Sequence, residues 1–380
     1  MEVRLAQKFR LYPSREQRDQ LERQFGSARF VFNHFLRKRQ DLYKETGENL
    51  TFVKAAKQLT ELKNQPEFVW LKEAPAQALQ QSLRNLDAAY ANFFKGHNSF
   101  PKFKKKHSHQ SVKFPEAKCY RLDTDKGLLS IPKIKNIKCV FTQEIKGETK
   151  SITVSKTPTG KYFVSVGVVV EIEEPQYIGG QIGIDLGLKD FLTTSEGEKV
   201  APNAFLRKSE KRLVRQQRKL SRKKKGSANR SKQRLKVAKI HERIANQRND
   251  FLHKLSTRLV RDNQAISLED LNVKGMIKNH KLAKSINDAS WSEFVRQLEY
   301  KGQWHGCYIH MVDRWFPSSK TCSSCGAIND ALKLNDRHWE CSECNSQHDR
   351  DVNAAINILK NRAGTAQIHA YGDRVRQLAA

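Results

Sequence analysis

The chain lacks any long apolar run. Its best candidate, residues 162–170, covers nine residues and is interrupted by Ser165 and Gly167, whereas a membrane-spanning helix needs about 20 apolar residues. The N-terminal stretch MEVRLAQKFRLY alternates polar and apolar residues and has no signal-peptide core. The sequence therefore predicts neither secretion nor membrane insertion, and we expect a cytoplasmic protein without a membrane partner.

Acidic residues are also scarce relative to basic ones. The 380 residues include 70 Lys and Arg but only 40 Asp and Glu, which gives a net charge of +30 and a pI near 9.9. In a cytosolic protein such an excess is usually offset by a polyanion, most often nucleic acid. The length is sufficient for two or three domains with their own cores. We therefore expect a multidomain protein that binds nucleic acid.

Cysteine is rare outside one short segment. Cys119, Cys139 and Cys307 stand alone, and the other four form two CxxC pairs separated by fifteen residues: Cys322, Cys325, Cys341 and Cys344. Two such pairs are typical of a zinc ribbon, in which each pair forms a tight knuckle. The residue after each knuckle usually needs a positive φ, which Gly326 adopts freely and Asn345 tolerates. Because four thiolates close the coordination shell, we predict one structural Zn²⁺.

Apolar periodicity predicts a mixed α/β (α+β) chain of several domains. Alternation over residues 3–11 indicates a strand, and spacings of three and four indicate helices from Glu16 onward and over residues 74–94. Runs rich in β-branched residues predict a small antiparallel β domain over 110–177, which the first strand completes. After a linker at 173–180 the pattern alternates strands and helices up to a final helix that begins at DVNAAINIL.

Three acidic residues follow this α/β pattern at element ends. Asp185 lies in GIDLG, Glu269 in LEDL and Asp351 in DRDVNAA. Singly, each has an ordinary explanation: Asp185 could close a turn, Glu269 could face solvent, and Asp351 could cap a helix. Their order along the strands and helices, however, is that of an RNase H-like nuclease. Three converging carboxylates repel one another unless cations neutralise them, so we expect two Mg²⁺ (or Mn²⁺) ions that support phosphodiester hydrolysis. The neighbours Asp270 and Asp349 are expected to point away.

Basic residues concentrate in a predicted helical hairpin over residues 204–260. Between Arg207 and Lys239 there are 16 Lys and Arg and one acid, so half of the net charge lies in 33 residues. Leucines at heptad spacing indicate a packed hairpin, and same-sign charge at this density favours a phosphate backbone as partner over a merely solvated face.

Two further regions are candidates for nucleic-acid contact. FPKFKKK pairs aromatic rings with cations and suits base stacking, although an ordinary surface loop anchored by Phe100 and Phe103 is the alternative. Gln and Arg on the helix at 74–94 could read base edges. With the hairpin turn, the candidate contact residues are Gln80, Arg84, Lys102, Lys104, Lys105, Arg222, Lys223, Lys224 and Lys225.

The order GIDLG, LEDL, CxxC, CxxC, DRDVNAAxNIL, after FRLYPSREQ and FPKFKKK, resembles the TnpB (OrfB) family of insertion-sequence-encoded RNA-guided nucleases, relatives of type V CRISPR effectors. The resemblance covers essentially the whole chain. It implies a RuvC nuclease domain (178–364) with Asp185, Glu269 and Asp351 as metal ligands and an inserted zinc ribbon (318–348). It also implies a β-barrel-like wedge domain (1–12 and 108–177), a helical recognition insert (13–107) and a C-terminal tail (365–380).

From this resemblance we expect an RNA-guided DNA endonuclease of a transposable element. Its expected partners are a guide RNA transcribed from the element and double-stranded target DNA, and we expect a monomer. Asp185, taken as central in its strand, is expected to bridge both metals. Two alternatives remain: a transposase that acts directly on element ends, and an RNA-guided DNA-binding regulator without cleavage.

Overall fold

The computed structural model describes residues 2–172, 179–202, 204–333 and 335–361. They form two compact units divided between Ile172 and Glu173. Most of the expected linker at 173–180, and the whole of the expected tail at 365–380, lie outside the described residues. No helix within the described ranges is long and apolar enough to cross a membrane.

The first unit places helices between its first and second strands. In chain order its elements are β1 (Glu2–Tyr12), α1 (Arg15–Thr46), α2 (Phe52–Leu62), α3 (Ala76–Phe94), β2 (Gln110–Phe114), β3 (Arg121–Asp123), β4 (Leu128–Ile131), β5 (Ile134–Val140), β6 (Glu148–Lys156) and β7 (Tyr162–Glu171), with 3₁₀ turns at Pro66–Glu73 and Ala117–Cys119.

The seven strands of this unit form one antiparallel sheet in the order β2-β6-β7-β1-β5-β4-β3. The N-terminal strand β1 lies inside the sheet, where it pairs with β7 from Glu2 to Leu11. Phe9 and Leu11, two positions apart, are both buried, as its alternation predicts. The edge strands β2 and β3 do not pair with each other, so the sheet is an open half-barrel.

Helix α1 begins with a capping box and contributes residues to two separate hydrophobic cores. Gln17 N–H donates to Ser14 Oγ (3.2 Å) and Ser14 N–H donates to Gln17 Oε1 (2.9 Å). Leu21 and Phe25 pack against the sheet. One turn further on, buried residues of α1 pack against α2 and α3 in a separate helical core that includes Phe35, Leu59 and Leu83.

The second unit alternates strands and helices around a five-stranded sheet. Its elements are β8 (Gln181–Asp185), β9 (Leu192–Thr194), β10 (Lys199–Val200), α4 (Phe205–Ser221), α5 (Ala228–Asp262), β11 (Ala265–Glu269), α6 (Val273–Met276), α7 (Ala283–Ala289), α8 (Trp291–His305), β12 (Tyr308–Val312), β13 (His338–Glu340), β14 (Gln347–Asp349) and α9 (Arg350–Lys360).

The sheet order is β10-β9-β8-β11-β12, in which β8, β11 and β12 are parallel and β9 and β10 antiparallel. The carboxyl ends of the three parallel strands therefore meet at one edge. The expectation that Asp185 is central in its strand is wrong: β8 ends at Asp185. The polar side chain stands where the apolar strand leaves the sheet, whereas Ile182 and Ile184 are buried within it.

The predicted basic hairpin is formed by α4 and α5. Leu213 of α4 packs on Val237, Ile240 and Ile244 of α5, and Leu206 and Leu220 flank this small core. Arg230 closes the turn, because its guanidinium donates to the carbonyl oxygens of Leu220 (2.7 Å) and Lys223 (2.9 Å). The hairpin is thus a packed element with its charge on the outside.

Candidate functional site

Two of the three predicted acids are neighbours because of strand register. In the parallel pair of β8 and β11, Ile184 lies opposite Leu268. The next residues along the two strands are Asp185 and Glu269, each at the carboxyl end of its strand. A hydrogen-bond register therefore sets two carboxylates side by side at the sheet edge.

The third acid reaches them through close packing of α9 against β8. A Cβ built on Gly183 would lie 2.0 Å from the Ala355 carbonyl oxygen of α9, so only glycine permits this approach. Asp351 lies in the first turn of α9. The first glycine of the GIDLG motif thus lies in the helix–strand contact, and this contact brings the first turn of α9, with Asp351, close to β8.

Electrostatics show that the three carboxylates interact. Burial raises the pKa of Asp185 to about 7, and the negative charges of Glu269 and Asp351 add to this rise, while Arg350 and Arg337 oppose it. A carboxyl group in this situation exchanges its proton for a cation near neutral pH. The donor set, three carboxylates at one edge, consists of the oxygen ligands that Mg²⁺ and Mn²⁺ prefer.

Two of the acids are hydrogen-bonded to the segment that follows β12. Ser318 Oγ donates to Glu269 Oε1, and the Arg337 guanidinium donates to both carboxylate oxygens of Asp351 at 3.2 and 3.3 Å. Among the described residues, only the four cysteines of the two CxxC pairs form a cluster of ligand atoms within 4.8 Å of one another. The acids therefore share an edge but are not drawn together as metal ligands would be.

The neighbouring acids have different structural roles. Asp349 is the N-cap of α9: its Oδ1 accepts the N–H groups of Asp351 and Val352, both at 3.1 Å, and its Oδ2 accepts from Lys199 Nζ at 2.6 Å. Asp270 instead forms an ion pair with Arg314. Replacing Asp349 would therefore disturb the helix that carries Asp351, and Asp270 is the better control for tests of the site.

The four predicted zinc ligands do come together. Cys322 Sγ lies 3.7 Å from Cys344 Sγ, and Cys325 Sγ lies 3.6 Å from Cys341 Sγ. With Zn–S bonds of about 2.3 Å, a tetrahedron has edges of about 3.8 Å. Gly326 (φ +83°) and Asn345 (φ +57°) have the predicted positive φ after each knuckle. The thiolate arrangement fits a zinc ion.

Asparagines of α9 attach the first cysteine knuckle to the helix that carries Asp351. Buried Asn353 accepts the Ser323 N–H (2.8 Å) and donates to the Thr321 carbonyl oxygen (2.7 Å). Asn357, one turn later, donates to the carbonyl oxygens of Ser318 (2.9 Å) and Thr321 (2.5 Å). The two asparagines of the DRDVNAAxNIL motif therefore hold the cysteine segment against the helix that bears Asp351.

The candidate nucleic-acid residues are mostly exposed. Arg222, Lys224 and Lys225 are exposed at the hairpin turn and Lys223 is partly buried, while Gln80, Lys102 and Lys105 are exposed in the first unit. Two cations pack on aromatic rings: Arg84 lies over Phe52 at 4.7 Å, and Lys104 Nζ over Phe32 at 4.0 Å. These two are engaged locally within the protein.

Sequence reasoning missed several residues of the site. Ser318 and Arg337 contact the acids but lie 49 and 14 residues from them, and no motif marks either one. His348 has its Nε2 3.1 Å from Cys322 Sγ. Its proximity to two cysteines of the CxxC pairs in sequence was the available signal.

Comparisons with known proteins agree with these motifs. Residues 163–280 match the OrfB_IS605 family described as a probable transposase, residues 291–358 a Cas12f1-like TNB domain, and residues 1–48 an OrfB_IS605 helix-turn-helix domain. A Streptomyces pristinaespiralis protein, named as a candidate RNA-guided DNA endonuclease, is 41% identical over 99% of this chain and 92% of its own length. The chain belongs to the OrfB_IS605 (TnpB) family. The resemblance inferred from its motifs is confirmed.

Further relatives support the TnpB assignment and the fold. Escherichia coli K12 InsQ, which carries the same functional name, is 34% identical over 97% of this chain and 94% of its own length. A Cas12f1 structure solved with sgRNA and target DNA matches with TM-score 0.57 and 14% identity, over 94% of this chain and 98% of that one. The mini-endonuclease Cas_phi3 matches with TM-score 0.51 and 8% identity, over 95% and 92%. The predicted multidomain α/β fold is confirmed.

Proposed function

We propose that this TnpB-family chain is an RNA-guided DNA endonuclease of a transposable element, which cuts target DNA beside a short adjacent motif. The observation that carries the proposal is the placement of three acids at one sheet edge: Asp185 and Glu269 end two adjacent parallel strands, and Asp351 lies in the first turn of the helix packed on β8. The names of relatives similar over almost the whole chain support the same activity.

Asp185, Glu269 and Asp351 would hold two Mg²⁺ or Mn²⁺ ions. Such ions supply an activated water and stabilise the leaving oxygen in phosphodiester hydrolysis. Asp185 would serve as a ligand of both ions, and Glu269 and Asp351 would each complete the ligands of one. Ser318 and Arg337 would then give up their hydrogen bonds to these two carboxylates.

The cysteine cluster is proposed to hold one structural Zn²⁺. Its four thiolates leave no open position for a reacting group. Through Asn353 and Asn357 the folded ribbon supports the helix of Asp351 and the loop of Ser318. Zinc would therefore influence DNA cleavage indirectly, because it would keep the helix of Asp351 and the loop of Ser318 in place.

The nucleic-acid partners are proposed to be a guide RNA and double-stranded target DNA. The exposed cations of the α4–α5 hairpin support a phosphate backbone as ligand. We keep the division into wedge, recognition and RuvC domains at the boundaries given above, with the helices of α1–α3 as the recognition insert. A monomer that works in the bacterial cytoplasm is the form we propose.

RNA-programmed cutting of a plasmid library with randomised flanking bases tests the proposal. With Mg²⁺, cutting should follow the supplied RNA sequence and stop with chelator. Asp185→Asn, Glu269→Gln and Asp351→Asn should each reduce it by roughly a thousandfold or more, because each removes several kcal/mol of charge stabilisation. Asp270→Asn is the matched control and should cut normally.

The alternatives give different results in the same assay. Cutting at element ends without regard to the RNA sequence would show a direct transposase. RNA-directed binding without cutting would show a regulator. Full activity in all three acid variants, or equal loss in Asp270→Asn, would refute the assignment of the acids.

A further inference from the structure

A groove of about 840 Å³ runs along the exposed face of α1 in the first unit. Its floor follows the helical spacing of Phe30, His34, Arg37 and Lys38, and its opposite wall is Phe103. This volume lies within the range of small-molecule sites, and the groove is widely open to solvent, as an extended ligand requires.

The wall of the groove is fixed by hydrogen bonds. Asn33 Nδ2 donates to the Lys104 carbonyl oxygen (3.0 Å), and Lys104 N–H donates to Asn33 Oδ1 (2.8 Å). Gln110 Nε2 donates to the Lys105 carbonyl oxygen (2.9 Å), and its Oε1 accepts from Arg29 (2.6 Å). The two residues that follow Phe103 are therefore held to α1, Lys104 directly and Lys105 through Gln110, so the position of this wall is fixed.

The lining is aromatic and cationic. The Phe103 ring remains 44% exposed, and the Arg37 guanidinium lies 5.7 Å from its centroid. Phe30 stacks on His34 with centroids 5.5 Å apart and meets the 41% exposed Trp70 edge-on at 5.1 Å. Burial and the charge of Lys38 lower the pKa of His34, which keeps its imidazole neutral and able to stack.

Charge is distributed unevenly along the groove. Arg37 and Lys38 are exposed at its middle and, within the described residues, form no ion pair. Asp41 and Glu45 line its far end. The anionic group of a ligand is therefore attracted to the middle of the groove and repelled from its far end. This charge difference orients the ligand along α1.

We propose that this groove binds an unpaired nucleobase of single-stranded nucleic acid, which stacks on Phe103 and Phe30 while its phosphate lies against Arg37 and Lys38. Every base offers a π face to such a surface, whatever its sequence. The inference deepens the proposed function, on which it rests for the presence of nucleic acid. Guide RNA and displaced DNA share this chemistry.

Site-mapped photocrosslinking tests the groove without cleavage. The full chain is irradiated with short oligouridylate or oligothymidylate that carries one 5-bromouracil, then digested and analysed by mass spectrometry. Crosslinks should appear at Phe103, Phe30 or His34. Since stacking contributes about 1–3 kcal/mol per base, Phe103→Leu should reduce their yield roughly tenfold or more. Phe94→Leu, which changes a 75% exposed ring outside the groove, should not.

Lys38→Glu is a second variant that leaves the aromatic lining intact. It should also reduce groove crosslinks, because it replaces the attracting charge by a repelling one. Crosslinks with RNA alone would identify the guide as ligand, and crosslinks with DNA alone the displaced strand. Crosslinks confined to the α4–α5 hairpin, or equal yields for Phe103→Leu and Phe94→Leu, would overturn the inference even if RNA-guided cutting is intact.

Discussion

At Asp185, burial and the charges of Glu269 and Asp351 act together to raise the pKa of one carboxyl group. Its folded pKa of about 7 lies above its usual value, so the carboxyl group is protonated below pH 7, and a proton competes there with a metal ion. One unit below that pKa only about a tenth of the group is ionised. Apparent Mn²⁺ affinity, measured by electron paramagnetic resonance without nucleic acid, should therefore fall about tenfold from pH 8 to pH 6.

The same residue contributes to the pH dependence of stability without metal. A raised folded pKa means that stability is greatest below the unfolded pKa near 4 and is lost as pH rises through 7. Asp185→Asn should abolish this decrease of stability with rising pH and most of the Mn²⁺ binding. Asp270→Asn should retain the decrease of stability and the Mn²⁺ binding. Equal Mn²⁺ affinity of the unmodified protein at pH 6 and pH 8 would contradict the role of Asp185.

Arg337 is expected to oppose the proposed metal binding at Asp351. The guanidinium and a metal ion compete for the same two carboxylate oxygens. Because the pair is partly exposed, its strength is about 1 kcal/mol or less. Arg337→Gln should therefore raise Mn²⁺ affinity by up to about fivefold. Arg314→Gln, which frees Asp270 instead, is the control, and a similar gain there would show a general charge effect.

At the scale of elements, we expect the folding of the cysteine segment to depend on the proposed zinc ion. Cys322→Ser should release one equivalent of zinc, detected with a colorimetric chelator, because loss of a thiolate removes folding energy from a closed site. Proteolysis should then cut within residues 318–348. Asn353 and Asn357 would lose their partners, so cleavage of DNA should fall as well. Cys307→Ala, outside the cluster, should leave zinc in place, and a zinc-free unmodified protein would refute this prediction.

In the basic hairpin, the exposed charges and the apolar core are formed by different residues, so each can be changed without the other. Lys223→Glu, Lys224→Glu and Lys225→Glu together should keep the helices, since the core of Leu213, Val237, Ile240 and Ile244 is untouched. If each lysine neutralises one phosphate, the slope of log affinity for RNA against log salt should become shallower by about 2–3. Leu213→Ala is the contrasting variant and should cost roughly 2–4 kcal/mol of hairpin stability. An unchanged slope would place the RNA elsewhere.

At the scale of the whole molecule, a net charge of +30 requires a counter-charge. The protein purified at low salt should therefore carry bound RNA, visible as excess absorbance at 260 nm, and should lose it steeply as salt rises. The arginine and lysine residues of the hairpin supply half of that charge. Nucleic-acid-free protein at low salt would contradict this expectation.

Local patterns in the sequence were sufficient to predict individual strands, helices and the cysteine segment. Alternation in residues 3–11, helical spacing in α1 and α3, and the two CxxC pairs each depend on neighbours a few positions apart, so they predicted a strand, helices and a zinc ribbon. The order of Asp185, Glu269 and Asp351 among these elements predicted one shared site, and their role as metal ligands stays a prediction. These features depend on the spacing of residues along the chain, which can be read directly from the sequence.

Contacts between distant segments were decided only by tertiary structure. Ser318 meets Glu269, and Arg337 meets Asp351, because α9 packs closely on Gly183 and its asparagines hold the ribbon. The groove likewise needs segment 100–105 to fold back on α1, some 70 residues away in sequence. Composition would allow many such pairs, and the packing of side chains decides which of them form. No pattern of neighbouring residues in the sequence indicates which contacts these are.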